Sequence, residues 1–321
     1  MRKYFFSLLF GFLFSIPALA CLNGEKMILA NMEILYVDHS GEVPRGHGFG
    51  SDDQLEEFLV KLEKGYHDTK DLDYLSDKGF ILIILGRYQE AIELYKKIEA
   101  IQPGRYSTAS NIGTAYELTG NNAEALKWIE KAVTIDPASH SGSEWIHINI
   151  LKAKIKGSQP ISSKDLIGKD FGDGRYPVSD LNKDELQLLK MQLYYQLNER
   201  VSFVKPKDKI VAQLLFDLGN TAFLMNQNDN ALSDYKLAIE YGFENPLIND
   251  RMKAVLSKTG KSEAQESRFH LMETVIAIAA SLGESVLIVF ISSDCNALNL
   301  SSETLLPFNT TIALSGGFET V

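Results

Sequence analysis

The stretch LDYLSDKGFILIILGRYQEAIELYKKIEAIQPGR, residues 72–105, is followed without a gap by YSTASNIGTAYELTGNNAEALKWIEKAVTIDPAS, residues 106–139. Gly79 and Gly113, Gly86 and Gly120, Ala91 and Ala125, and Pro103 and Pro137 each lie 34 residues apart. A period of that length, with glycine early, alanine late and proline at the end, reads as stacked helix–turn–helix units. One such unit cannot bury its apolar face alone. The fold expected is therefore an all-α solenoid, which presents surfaces rather than a closed pocket.

With position 1 at Leu72 and Tyr106, the glycines fall at position 8, the alanines at 20 and the prolines at 32. Gly79 and Ala91 let two helices approach, Tyr95 at position 24 fills the space between them, and Pro103 ends one unit. These marks resemble the tetratricopeptide repeat (TPR) family. Departures from its pattern are Leu75 and Ala109 at position 4, Ile129 at position 24 of the second unit, and Ile98 and Ala132 at position 27. A third unit begins near Ser139, then breaks at Gly157-Ser158-Gln159-Pro160 before a second helix. A further unit resumes near Ala212, with Gly219, Ala231, Tyr235 and Ala238 in phase and Pro246 three residues late. The resemblance covers about 71–155 and 207–258.

Of the 321 residues, 45% are apolar and 23% charged, as in a folded chain rather than a disordered one. The net charge of −10 argues against nucleic acid or an anionic lipid surface as main partner, since both want a basic stripe. The start is a secretory signal over 1–20: Arg2 and Lys3, an apolar run from Tyr4 to Ile16, then Pro17-Ala18-Leu19-Ala20 before Cys21. Two readings stay open there. Ala18-Leu19-Ala20 suits cleavage to a soluble exported chain, and Cys21 suits a bacterial lipoprotein carrying lipid on that residue. Cys295 is the other cysteine; a bridge to Cys21 would have to join the two ends of a solenoid.

The mature chain divides into an extended or hairpin segment, 21–50; a helical cap and the first units, 51–156; a loop insert, 157–181; a helical region, 182–273; and an apolar segment with tail, 274–321. Expected helices are about 51–66, 72–85, 88–101, 106–118, 122–134, 140–155, 182–201, 207–225, 229–241, 247–258 and 262–273. The run around 273–292 approaches the roughly 20 apolar residues that span a bilayer. Against a span stand Glu284 near its centre, which costs roughly 2.5–3.5 kcal/mol, and the lack of basic residues after it. The other reading is a buried helix to about Leu282, a strand over Ser285 to Ile291 and a loose tail.

No catalytic or cofactor signature is present. His39 and His47 with Cys21 lack the short paired spacing of a zinc site and read as polar loop residues. His140 and His147, with Glu144 between them, are two turns or roughly 10 Å apart on one helix, too far to share a metal. Gly172-Asp173-Gly174 lacks the residues of a phosphate or calcium loop and reads as a turn.

The resemblance implies that a groove holds a protein or peptide through inner-face positions. These are Asp73, Ser76 and Phe80 in the first unit, and Ser107, Ser110, Asn111, Thr114 and Glu117 in the second. In the third they are Ser141, Glu144 and Ile148. At the positions where chaperone-binding TPRs clamp a carboxylate, the chain has Ser76, Phe80, Asn111, Ser141 and Trp145, and only Asn111 fits. A competing expectation is that Phe80, Ile83 and Ile84 are covered by the 51–66 helix or the N-terminal hairpin, since solenoid ends need caps. The function expected is a non-enzymatic scaffold of the bacterial cell envelope, periplasmic or outer-membrane-associated. The alternatives are a metal-dependent or enzymatic module built on His39, His47 and the 157–181 loop, and a membrane-anchored assembly factor held by Cys21 or by 273–292.

Overall fold

The computed structural model describes residues 26–38, 42–157, 161–260, 286–289 and 310–313. The signal segment, Cys21, His39, Cys295 and the expected 262–273 helix lie outside them. The chain forms two compact units, Met1–Val255 and Leu256–Val321.

The first unit opens with strands β1 (Lys26–Ile28) and β2 (Ile34–Val37), an antiparallel hairpin where one was expected. Helix α1 (Asp52–Thr69) starts on the Ser51 side chain, which accepts from the Gln54 N–H, with Asp52 and Asp53 in the first turn. The two strong repeats follow as α2 (Leu72–Ile84) with α3 (Tyr88–Ile101), and α4 (Tyr106–Leu118) with α5 (Asn122–Ile135). These bounds match the expected ones to within a residue.

One device closes each helix pair. The ideal Cβ of an alanine at Gly79 would stand 2.6 Å from the Tyr95 ring, so the missing side chain is what admits the ring. Tyr95 is fully buried; its hydroxyl donates to the Ser76 carbonyl at 2.8 Å and accepts from Asn111 Nδ2 at 2.9 Å. Gly113 stands in the same way against Ile129, and Gly219 against Tyr235, whose hydroxyl donates to Asn220 at 2.9 Å. The turn between paired helices needs a left-handed residue. Gly86 and Gly120 supply it at φ +74° and +80°, and Asn226 takes the equivalent place in the later unit at φ 60°.

The third repeat departs from expectation. A single helix over 140–155 does not form. His140, Ser141 and Gly142 are all left-handed, at φ 51°, 56° and 66°, making the short turn α6 (Ser139–Gly142) before α7 (Glu144–Lys156). The insert is not a free loop either. It contains α8 (Ser163–Ile167) and buries Leu166, Ile167 and Phe171. Asn149 donates to the Leu166 carbonyl at 3.0 Å, Ser163 to Asp217 at 2.6 Å, and Arg251 to the Phe171 carbonyl at 3.0 Å. The insert is thereby tied to the helices on both sides of it.

Helix α9 (Lys183–Phe203) begins on a capping box, with Asn182 and Glu185 each bonding the other's backbone. Then come α10 (Lys209–Leu224), α11 (Asn228–Glu240) and α12 (Leu247–Thr259). One core joins Met27, Leu29, Leu35 and Tyr36 of the hairpin to Leu55, Phe58 and Leu62 of α1 and to Phe80, Ile81 and Ile83 of α2. The hairpin and α1 therefore cap the array, and Phe80 and Ile83 are cap contacts. Asp77 fastens the hairpin by accepting the Ala30 N–H at 2.6 Å; burial pushes its carboxyl up to about 7.

In the second unit, β3 (Val286–Val289) pairs in parallel with β4 (Thr310–Ala313). The β-branched run VLIV is suited to a strand. The strand falls inside the Ser285 to Ile291 stretch read as one against a membrane span, and the expected loose tail carries a strand too; residues 273–285 lie outside the described ones. Among the described residues no helix is long and apolar enough to cross a membrane.

Replacing Gly79 with alanine forces Tyr95 off its seat. We expect a loss of about 1–3 kcal/mol, the usual cost of overpacking, read as a lower urea midpoint. An unchanged midpoint would show that the ring can move freely.

Candidate functional site

The inner face of the array converges on one carboxylate. Glu117, the last inner residue of α4, is 8% exposed and surrounded by cationic side chains. Arg200 of α9 donates to both its oxygens, at 2.8 and 3.2 Å. His147 Nε2 lies 2.6 Å from Oε2, and Lys154 Nζ 2.7 Å from Oε1. Burial disfavours this carboxylate, but Arg200 and His147 outweigh it and hold Glu117 well below its ordinary range.

His147 reaches a second acid, since its Nδ1 lies 3.3 Å from Glu144 Oε2. Glu144 also pairs with His140 Nδ1 and accepts from the Tyr106 hydroxyl at 3.2 Å. Two histidines seven residues apart thereby meet at one carboxylate, which lies four residues after the first and three before the second. Burial opposes the charged form of His147, yet Glu117 and Glu144 raise its pKa; both ring nitrogens face carboxylates, as an imidazolium requires.

The groove is covered from within the chain. On α9, Gln192, Gln196 and Arg200 stand four residues apart and so share one edge. Gln192 donates to the Ser141 and Gly142 carbonyls at 3.3 and 3.0 Å, and accepts from Trp145 Nε1 at 3.1 Å. Gln196 donates to Ser143 Oγ at 3.1 Å. The segment 42–50 then straps across α9. Asn198 accepts from the Arg45 and Gly46 N–H groups at 3.2 and 3.0 Å, and Ser202 Oγ from the His47 N–H at 2.9 Å. The His47 ring is clasped between Asp38 at 2.6 Å and Glu199 at 2.9 Å, and stacks on Tyr36 with centroids 4.2 Å apart. Burial works against its charge, and the bond and charge of Glu199, with Asp38 behind them, raise its pKa. Burial also pushes Glu199 up.

A cavity of about 70 Å³ remains, lined in part by Ser110, Thr114, Glu117, His140, Glu144 and Arg200. It has room for a few waters, not for a peptide.

Of the expected groove residues, Ser110, Thr114, Glu117 and Glu144 come together at this cavity. Asp73 pairs with Arg105 instead, and Ser107 meets Ser76 hydroxyl to hydroxyl at 3.4 Å. Ser76 and Asn111 serve Tyr95, and Phe80 lies under Phe49 at 6.2 Å. Ser141 offers its carbonyl to Gln192, and Ile148 packs against Ala125, Ile129 and Leu151 between helices. Asp38, His47, Lys154, Glu199 and Arg200 were not singled out as groove residues. The available signal was the apolar row of α9, of which Leu186, Leu189 and Leu193 are buried while Leu188 and Met191 remain exposed.

Of the histidines in the enzymatic alternative, His39 lies outside the described residues, and the His47 side chain is 1% exposed with both ring nitrogens on the Asp38 and Glu199 carboxylates. Among the described residues no group of three or more His, Cys, Asp or Glu is placed to hold a metal ion.

Residues 71–138 match the family model described as Tetratricopeptide repeat. Over those residues the chain carries tetratricopeptide repeats. It is similar to the solved structure of TTC0263, a thermophilic TPR protein in Thermus thermophilus, at 15% identity and TM-score 0.32, over 64% of this chain and 91% of that one. It is also similar to a tetratricopeptide repeat protein from Parabacteroides merdae, at 14% identity and TM-score 0.27, over 64% and 96%. BtubC (BKLC) from P. vanneervenii is a third, at 11% identity and TM-score 0.31, over 76% and 96%. No curated protein matches the chain.

Two outcomes test the site. Glu117→Ala leaves Arg200 and His147 buried without their partner and should cost about 3–5 kcal/mol of unfolding free energy. A loss under about 1 kcal/mol would mean that the network contributes no net stability. The pH profile follows from the signs. The histidine contribution is complete below the ordinary imidazole value of 6.5 and is lost as pH rises through the raised folded values. The Glu117 contribution is complete above the ordinary 4.5 and is lost as pH falls through its lowered value. Tm should therefore decline from pH 6.5 upward, and His47→Gln should flatten that decline; parallel profiles would count against the His47 clasp.

Proposed function

We propose that the protein is a non-enzymatic scaffold of a bacterial cell envelope that holds a protein partner through its TPR array. The observation that carries this reading is the array itself, paired helices stacked in a 34-residue period that offer extended faces. The titratable cluster supports it as well, because His47 and His147 each spend both ring nitrogens on carboxylates. The signal-like start, Arg2 and Lys3 before an apolar run ending at Ala20, favours export. Cys21 immediately after it favours a lipid anchor as the means of membrane association.

Photo-crosslinking in intact cells tests the scaffold. A crosslinker at Ser107 or Thr114 on the inner face, or at Lys97 or Lys127 on exposed helix surface, should capture one defined partner from at least one face. No adduct from any of the four positions would overturn the reading. Fractionation of wild type and Cys21→Ser tests the anchor separately: the wild type should sediment with membranes and the variant should not. Equal partition of both would remove the lipid from the account.

A further inference from the structure

Between its two stretches of repeat, the chain carries a helix that belongs to neither. The repeat marks run over about 71–155 and resume at about 207–258, while α9 spans Lys183–Phe203. Where the repeats use their inner faces, this helix supplies the occupant. Its Gln192, Gln196 and Arg200 edge meets Ser141, Gly142, Ser143 and Glu117 in order along the groove. These are hydrogen bonds and an ion pair of the kind a recognised helix makes with a groove.

We propose that α9 is a built-in ligand of the array, and that the groove takes in trans a partner's amphipathic helix that sets an arginine on Glu117. This rests on the scaffold reading above and names the partner's chemistry. The guanidinium is specified by the two-oxygen contact with Glu117, which a lysine cannot reproduce. Amide side chains four and eight residues before the arginine are specified by the Gln196 and Gln192 contacts. An apolar face is specified because Leu189, Leu193, Leu197 and Val201 of α9 are buried, α10 as well as α6 and α7 being packed against this helix.

The fit of α9 is incomplete in a way that leaves room for exchange. Arg200 Nε is buried without a hydrogen-bond partner. Beside it lies the 70 Å³ cavity. A buried donor left unmade weakens the closed state, so a helix that satisfies it competes well. The 42–50 strap, pinned through His47 to Asp38 and Glu199, holds α9 in place and must release with it.

The probe is a labelled synthetic peptide of residues 183–204 added to the full chain. Wild type should capture it weakly, because α9 competes. Arg200→Glu weakens the internal ligand and should raise capture roughly tenfold or more, as the competent fraction rises. Glu117→Arg should abolish capture of this peptide and restore it for a peptide carrying glutamate in place of the arginine. Capture by Arg200→Glu no greater than by wild type, or capture indifferent to Glu117→Arg, would overturn the proposal. Hydrogen exchange on the unaltered wild type guards against misfolded variants: added peptide should speed exchange of α9 amides, and unchanged exchange at saturating peptide marks α9 as a fixed strut. A wild-type dimer that the peptide dissolves would assign the groove to α9 of a second copy and overturn the partner named here. None of these results touches the crosslinking test, so the scaffold can stand while the built-in ligand falls.

Discussion

The carboxylate of Glu117 is the point on which the inner face of this protein depends. It sits on the second repeat, and its partners arrive from α7 and α9. A carboxylate this deep costs several kcal/mol to desolvate, and the converging charges and hydrogen bonds of Arg200 and His147 keep it ionised. Buried ion pairs are weak contributors to net stability compared with well-packed apolar residues of the same volume. What this one contributes is register: Arg200 can meet both oxygens only if α9 lies at one depth and one rotation along the groove.

From that fixed point the remaining contacts follow in sequence. With Arg200 seated, Gln196 and Gln192 fall one and two turns back, against the left-handed corner at His140–Gly142. That corner carries His140, which pairs with Glu144. On the other side of α9, Asn198, Glu199 and Ser202 receive the 42–50 strap, and Phe49 joins Phe80 and Phe203 in an aromatic cluster. Cap, array and α9 are thereby joined through polar groups that leave few alternatives for how they dock.

The same arrangement changes what the groove means. An open TPR face was expected to offer Asp73, Phe80, Thr114 and Glu117 to a partner. In the structure Phe80 belongs to the cap, Asp73 pairs with Arg105, and Glu117 is occupied by the chain's own arginine. A protein that fills its own recognition face must either present another surface or yield this one on demand, and the chemistry of the filling helix is the best guide to what replaces it.

The repeats were legible in the sequence because every interaction that defines them is short in range. Gly79 meets Tyr95 sixteen residues on, Gly113 meets Ile129 at the same spacing, and glycine at Gly86 and Gly120 marks the turn between. Spacing alone therefore determined the helices, their pairing and the solenoid class, and α1 and the hairpin could be read as its cap. The site was legible only in part: Ser110, Thr114, Glu117 and Glu144 were expected on the groove, but the bonds that close it cross the chain. Glu117 and Arg200 are 83 residues apart, and His47 and Glu199 are 152 apart. No periodicity links such positions. Nor does any local signal in the His140–Gly142 stretch force three consecutive left-handed residues; that corner exists because Gln192 and Glu144 hold it from either side. Local sterics and apolar spacing wrote the array into the sequence, whereas the closure of its groove was decided by long-range electrostatics, which only the folded chain brings within reach.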